Sequence, residues 1–461
     1  MTEMATLEPG TEALPVRVPL VREPLGIWGS LTAARRNIIG IIPEVATQVP
    51  IVSGRTAKRW HMVMDPAAIR RMLLENVDAY PKSLVTKNLL RPAIGESLFI
   101  AEGAHWRWQR RTAAPVFSHR NVMNLAPVMT AAAERSAERI EAAGNRAVDL
   151  ADDMVRTTFD VIADVTFSSD GTFDAASVHR GIDAYIAEAG KISLMDVLGA
   201  PDWVPRPGRL LHSRGAVKEM RRVADEAIEA RRRRGPDPGV PDLLDLLLEG
   251  EDPKTGRRMN TAELRDNLLT FIVAGHETTA LTLGWALYLC AFDQRVQEKA
   301  RAELAAVLGA RRSVAGEDVE ALPYIRQIVD EALRLYPPGG MVSRTAVAHD
   351  TLCGQEIRPG DTVMLPIYAL HRHHLLWEAP DAFRPERFAD RKAIERYAYL
   401  PFGDGPRICI GASFAIQEAV IILGTLLRRF RFTPVRGKVP EPVMILTLRP
   451  QGGVWLEAER V

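Results

Sequence analysis

The sequence predicts a mainly α-helical protein with a small β-rich region, organised as one domain over residues 1–461. Three observations lead there. From about residue 103 to residue 335 apolar residues recur at helical spacing, in runs too long for strands. Before and after this block, short runs of β-forming residues lie between Gly, Pro and Asp. No internal repeat is visible, and the composition, 47% hydrophobic and 25% charged, is ordinary for a globular chain. Length alone allows roughly two to four domains. The best linker candidate, residues 235–241, is short, however, and reads as a loop that breaks two helices before Asp242 caps the next.

In chain order, residues 49–53 and 60–64 read as strands, bounded by Gly54 and by Asp65 with Pro66. Trp106 and Arg110 are four apart on a helix and therefore share a face, while Trp108 reads as packing. The run Arg231, Arg232, Arg233, Arg234 follows an Ala/Glu-rich stretch and reads as a solvated helix C-terminus whose cations suit the dipole. A strong helix starts at Asn260, which forms a capping box with Glu263. It continues through Leu264, Leu268, Phe271 and Ile272 into Ala274, Gly275, His276, Glu277, Thr278 and Thr279. A glycine inside a buried helix costs about 1 kcal/mol relative to alanine, and such a local conflict often marks function. Gly275 and Ala274 leave room for a ligand against the backbone. Thr278 offers a hydroxyl to that ligand or to the carbonyl a turn earlier, and Glu277 offers a carboxyl that can relay protons. A helix crossing built on small residues is the competing explanation.

Residues 323–336 read as a helix started by Pro323 and stopped by Pro337 and Pro338. Glu331 and Arg334, three apart, share a face. Leu352, Cys353 and Gly354 read as a hairpin turn. The cluster His371, Arg372, His373, His374 looks metal-like, but no Cys or carboxylate completes a site.

The bulk properties narrow the function. A net charge of +1 gives no support for nucleic-acid binding. Cys290, Cys353 and Cys409 share no metal-like spacing and no disulfide framework, which fits a reducing cytosol. No apolar run of about 20 residues exists. Residues 1–24 read as neither signal peptide nor anchor, so a cytoplasmic chain with no membrane anchor is expected.

The most informative segment runs from Phe402 through Gly403, Asp404, Gly405, Pro406, Arg407 and Ile408 to Cys409, Ile410 and Gly411. It sets one cysteine in a glycine-framed turn just before a helical run over 412–427. A thiolate at a helix start gains from free N–H groups and the positive dipole end, which lowers its pKa. An anionic sulfur with an open approach is what a haem iron needs as proximal ligand when an O–O bond is to be cleaved. A nucleotide-binding glycine loop is set aside, because Ile408 stands where the third glycine belongs.

This loop resembles the cysteine signature of the cytochrome P450 family, Phe-x-x-Gly-x-Arg-x-Cys-x-Gly, at Phe402, Gly405, Arg407, Cys409 and Gly411. Residues 274–279 resemble the family's acid–alcohol motif. Glu331 with Arg334, then Pro385, Arg387 and Phe388, then Cys409, stand in the family's order. The resemblance implies a triangular helical prism with a β-rich side region and a haem b cofactor, whose iron takes Cys409. It implies that Thr278 stabilises the activated-oxygen state, that Glu277 relays protons to it, and that Glu331, Arg334 and Arg387 form a buried structural network. Trp106, Arg110, Arg344 and Arg407 are implied partners of the haem propionates, with Phe402, Gly411, Ala274 and Gly275 also bordering the haem.

The resemblance places the substrate pocket before the Trp106 helix, in residues 193–207, on the 274–279 helix, after Pro338, and in a C-terminal hairpin. Leu98, Phe99, Ile100, Phe271, Met341, Val342, Met444, Ile445 and Leu446 stand there, and their apolar character suggests a hydrophobic small-molecule substrate. The expected activity is O2-dependent monooxygenation by a monomer. Electrons are expected from a separate partner, a ferredoxin with its reductase, met by cations such as Arg107, Arg111 and Arg120. A peroxide-driven peroxygenase and a non-catalytic haem-thiolate sensor are the alternatives.

Overall fold

The structure, a computed structural model, describes residues 13–23, 25–56, 58–144, 146–167, 181, 214–235 and 241–461. Most of the linker candidate and the 193–207 pocket segment lie outside the described residues.

A short helix, Ile27–Arg36 (α1), leads to a hairpin of Ile51–Arg55 (β1) and Arg59–Val63 (β2). Gly54 lies inside β1 rather than at its boundary. It pairs with Trp60, whose ring fills the space a Cβ would take: an added Cβ would sit 2.3 Å from Trp60 Cζ2. Helices Leu84–Ile94 (α2), Gly103–Ala113 (α3), Ala126–Ala143 (α4), Leu150–Phe167 (α5) and Arg214–Arg234 (α6) follow. The basic end of α6 differs from the expected solvated terminus. Arg231 is buried and bonds Asp242 and Asp245, while the next three arginines are exposed.

Thr261–Phe292 (α7) runs through the core, with Asn260 and Glu263 making the reciprocal capping box. It is buried almost all round, as a helix apolar on every face must be. It packs most extensively against α5 and also crosses the helix that follows the cysteine loop, Ala412–Arg429. Pro323–Leu335 (α8) begins at its proline and ends before Pro337. Val342–Thr345 (β3) and Thr362–Leu365 (β6) extend the first hairpin into a sheet of order β1-β2-β6-β3, with β2 and β6 parallel. Between them, Asp350–Leu352 (β4) and Gln355–Ile357 (β5) form a hairpin whose turn is Cys353 and Gly354, both at positive φ. Ala412–Arg429 (α9) and a last lining hairpin, Glu441–Met444 (β7) with Leu448–Gln451 (β8), complete the frame of the site.

Candidate active site

Backbone geometry builds the cysteine loop. The Cys409 N–H donates to the Phe402 carbonyl at 2.9 Å and closes the turn. Gly405 has φ 73°, and a Cβ there would meet the Leu73 carbonyl oxygen at 2.1 Å, so only glycine fits. Gly411 is the N-cap of α9. Cys409 therefore stands two residues outside the helix, and its sulfur receives one backbone N–H, from Gly411. The expected depression of its pKa is not found. Burial pushes the thiol up, and the Gly411 N–H and the Arg110 charge oppose this without overcoming it. Its surface opens into a cavity of about 1350 Å³.

Every predicted cofactor-facing and catalytic residue borders that cavity: Trp106, Arg110, Ala274, Gly275, Glu277, Thr278, Arg344, Phe402, Arg407, Cys409 and Gly411. One side is strongly cationic. Burial lowers the pKa of Arg110, brings Arg344 to about 10, and brings Arg407 to about 10. Lys82 joins them, a backbone-bridge neighbour of Arg344 with its Nζ 3.5 Å from the Phe99 ring centroid. Its pKa falls well below the ordinary value through burial, then through Arg344, Arg407 and Lys87. Arg407 bonds Glu102 and the Ala101 carbonyl and lies 4.4 Å from the Trp106 ring centroid. Among the described residues no carboxylate pairs with Lys82, Arg110 or Arg344. Uncompensated buried cations are costly, so this donor set suits an anionic group.

On α7 the Thr278 hydroxyl donates to the Ala274 carbonyl at 2.7 Å. Gly275 does more than open the cavity, since an added Cβ would lie 3.3 Å from Ile162 Cδ1 on α5. The helix-crossing explanation therefore holds for this glycine alongside the cavity. His276 points away, its Nδ1 2.7 Å from the Ile272 carbonyl. Glu277 is buried and accepts from Thr447 Oγ1 at 2.5 Å and from Arg449 Nε and Nη2 at 2.8 and 2.6 Å. Nothing in the sequence paired it with residues 170 positions later.

The structural network assembles from α8. Arg334 donates twice to Glu331, at 2.6 and 2.7 Å, with both side chains fully buried. Arg387 Nε reaches Glu331 at 3.0 Å. Arg334 also donates to the carbonyls of His371, Pro380 and Ala382, which pins the segment leading to the cysteine loop. Of the histidine cluster, His371 serves this frame, while His373 Nε2 lies 3.2 Å from the Val49 carbonyl. The His371 ring meets the Arg334 carbonyl at 3.1 Å and receives the Leu400 N–H at 2.9 Å, so both nitrogens are engaged.

Among the expected pocket residues, Leu98, Phe99, Phe271, Met341, Val342, Met444, Ile445 and Leu446 line the cavity. Ile100 does not; it packs into a small cluster with Leu90, Ala93 and Ile94. Two of the cations expected to meet a partner are engaged within the chain: Arg107 pairs with Asp78, and Arg111 pairs in bidentate fashion with the buried Asp252. Arg111 is thereby a fold contact; Arg107 and Arg120 are both exposed, and Arg120 makes no ion pair among the described residues.

Comparison with known proteins agrees with this arrangement. The sequence model described as Cytochrome P450 matches residues 50–456. The chain is 32% identical over 434 residues to cyclooctat-9-en-7-ol 5-monooxygenase of Streptomyces melanosporofaciens, covering 93% of this chain and 90% of that one. It is 31% identical to a cytokinin hydroxylase of Arabidopsis thaliana, over 84% of this chain and 76% of the relative. The solved cytochrome P450DA haem domain superposes with a TM-score of 0.77 at 27% identity, covering 89% of this chain and 90% of that one. The signature loop, the fold around it and these relatives together establish that this chain belongs to the cytochrome P450 family and is an oxidoreductase of that family.

Proposed function

We propose that the protein is a haem-thiolate monooxygenase that hydroxylates a hydrophobic substrate with O2, using electrons from a separate ferredoxin and reductase. The carrying observation is the convergence, on one cavity, of the Cys409 thiol, the Glu277–Thr278 pair and buried cations without carboxylate partners. Relatives named as a 5-monooxygenase and a hydroxylase support C–H hydroxylation as the reaction.

Family and fold imply a haem, and the residues fit haem b: a thiol for the iron, apolar walls for a flat ring, and cations for two carboxylates. In this reading Cys409 Sγ ligates the iron. Trp106, Arg110, Arg344, Arg407 and Lys82 face the carboxylates, and Phe402, Gly411, Ala274 and Gly275 border the ring. When bound, the haem supplies O2 binding, electron uptake and oxygen insertion. The chain's own residues supply the protons and the exclusion of water. Thr278 keeps its hydroxyl at the cavity edge, able to accept one hydrogen bond while donating another. Glu277 holds a proton and passes it inward. Phe99, Phe271, Met341, Val342 and Ile445 give the substrate an apolar surface. Among the described residues no helix is long and apolar enough to cross a membrane, and a monomer in the cytoplasm is part of this reading.

The test is substrate-dependent consumption of NAD(P)H and O2 with ferredoxin and reductase, together with a hydroxylated product. Turnover with hydrogen peroxide alone, at rates matching the reductase-driven reaction, would replace this reading with a peroxygenase.

A further inference from the structure

Glu277 lines the cavity but is held from the C-terminal hairpin rather than from its own helix. Among the described residues, the hydrogen bonds it accepts end on one oxygen, Oε1, from Thr447 and Arg449. Among the described residues no donor reaches Oε2. The carboxylate is 6% exposed while the Arg449 side chain is 44% exposed, so the clamp bridges a buried acid and the solvent. The residues at the hairpin tip, Ile445 and Leu446, border the same cavity. Both Arg449 nitrogens donate to this same oxygen, so the charge-assisted bonds hold Oε1 in place and leave the other oxygen free of donors among the described residues.

We infer that Arg449, with Thr447, is the positioning residue of proton delivery. It pins Glu277 by Oε1 and leaves Oε2 to take up a proton from water and release it into the cavity, with no net change in the carboxylate over a cycle. Because clamp and pocket wall share one hairpin, pressure on Ile445 and Leu446 also orients the acid. The inference rests on the reading of Glu277 as proton relay.

The experiment uses the haem-loaded protein and its Arg449→Gln, Arg449→Lys, Thr447→Val and Glu277→Gln variants, each retaining the wild-type spectrum of the reduced CO complex. Infrared difference spectroscopy first identifies the Glu277 carboxylate band as the one lost in Glu277→Gln. That band should shift in Arg449→Gln and return in Arg449→Lys. Thr447→Val, which keeps the arginine, should shift it less. Next, NAD(P)H through ferredoxin and reductase supplies two electrons per O2 to the protein in H2O and in D2O without added substrate, and peroxide is followed. Each O2 needs two electrons and two protons to become H2O2. A misplaced proton group can cost up to about 10²-fold, so the step should slow and its solvent isotope effect rise in Arg449→Gln, with recovery in Arg449→Lys. A Glu277 band unmoved in both Arg449→Gln and Thr447→Val overturns the clamp. A proton-dependent rate changed in Glu277→Gln but not in Arg449→Gln overturns the positioning role. A rate unchanged in Glu277→Gln fells the relay reading itself, whatever the band does.

Discussion

Glu331 shows how a weak sequence signal becomes a strong structural one. A Glu–Arg pair three apart on a helix surface is worth about 0.2–0.5 kcal/mol, but here both side chains are fully buried. Glu331 also accepts from Arg387 Nε and the Arg384 N–H. Glu331→Ala would strand the Arg334 guanidinium, at about 3–5 kcal/mol. The expected outcome is a lower unfolding midpoint and little haem-loaded protein, measured as the haem-to-protein absorbance ratio; normal loading would remove the network from the account. Lys82 carries the converse lesson. Between Pro81 and Ser83 no motif marks it, and only the fold brings it beside Arg344 and against the Phe99 ring. Lys82→Met relieves charge crowding when the cavity is empty and removes a donor when it is filled. The apo protein should therefore hold its stability or gain some while haem dissociates faster, read by transfer to apomyoglobin. Unchanged dissociation would show that Lys82 does not face the haem carboxylates.

At the scale of elements, the parts set by local chemistry were legible in advance and those set by long-range packing were not. The capping box at Asn260, the start of α8 at Pro323 and the Cys353–Gly354 turn follow from near neighbours, and each stands within a residue or two of expectation. Gly54 and Arg111 were misread because their partners, Trp60 and Asp252, come from other elements, while Gly275 serves both the cavity and the crossing with Ile162. The thiol of Cys409 was misjudged for a different reason: burial raises its pKa, and the Gly411 N–H and the Arg110 charge oppose this without overcoming it. The β4–β5 hairpin offers a test with a defined sign. Burial alone would push Asp350 up, but hydrogen bonds, led by Arg71 and then Tyr80, outweigh it and bring its pKa to about 2. A depressed carboxylate pKa stabilises the fold above its unfolded value, near 4, and that contribution fades as pH falls toward 2. Asp350→Asn should therefore lower the melting temperature at pH 7, with the gap to wild type closing between about pH 4 and pH 2. A gap independent of pH would mean that the pair contributes through packing alone.

For the whole molecule, the family and its fold were legible in short motifs, because the chemistry of a thiolate site constrains a few residues tightly. The substrate was not, because its pocket draws single apolar residues from distant segments that any core also uses. The face presented to an electron donor shows the same limit. Arg120 lies on the short helix His119–Asn124, which packs on α9 beside the cysteine loop. Reversing an exposed charge at a docking face acts mainly on the association rate and its salt dependence. Arg120→Glu should slow reduction by an acidic ferredoxin at low salt, with the difference from wild type disappearing as ionic strength rises. Equal rates at low salt would place the docking surface elsewhere.

The central claim is that Cys409 holds a haem iron as thiolate. The direct measurement is the absorption spectrum of the reduced, CO-exposed protein, wild type against Cys409→Ala. The account predicts the strongly red-shifted Soret band of a thiolate–haem–CO complex in the wild type and its loss in the variant. A well-folded wild type with no haem, or with a histidine-type band, would contradict it.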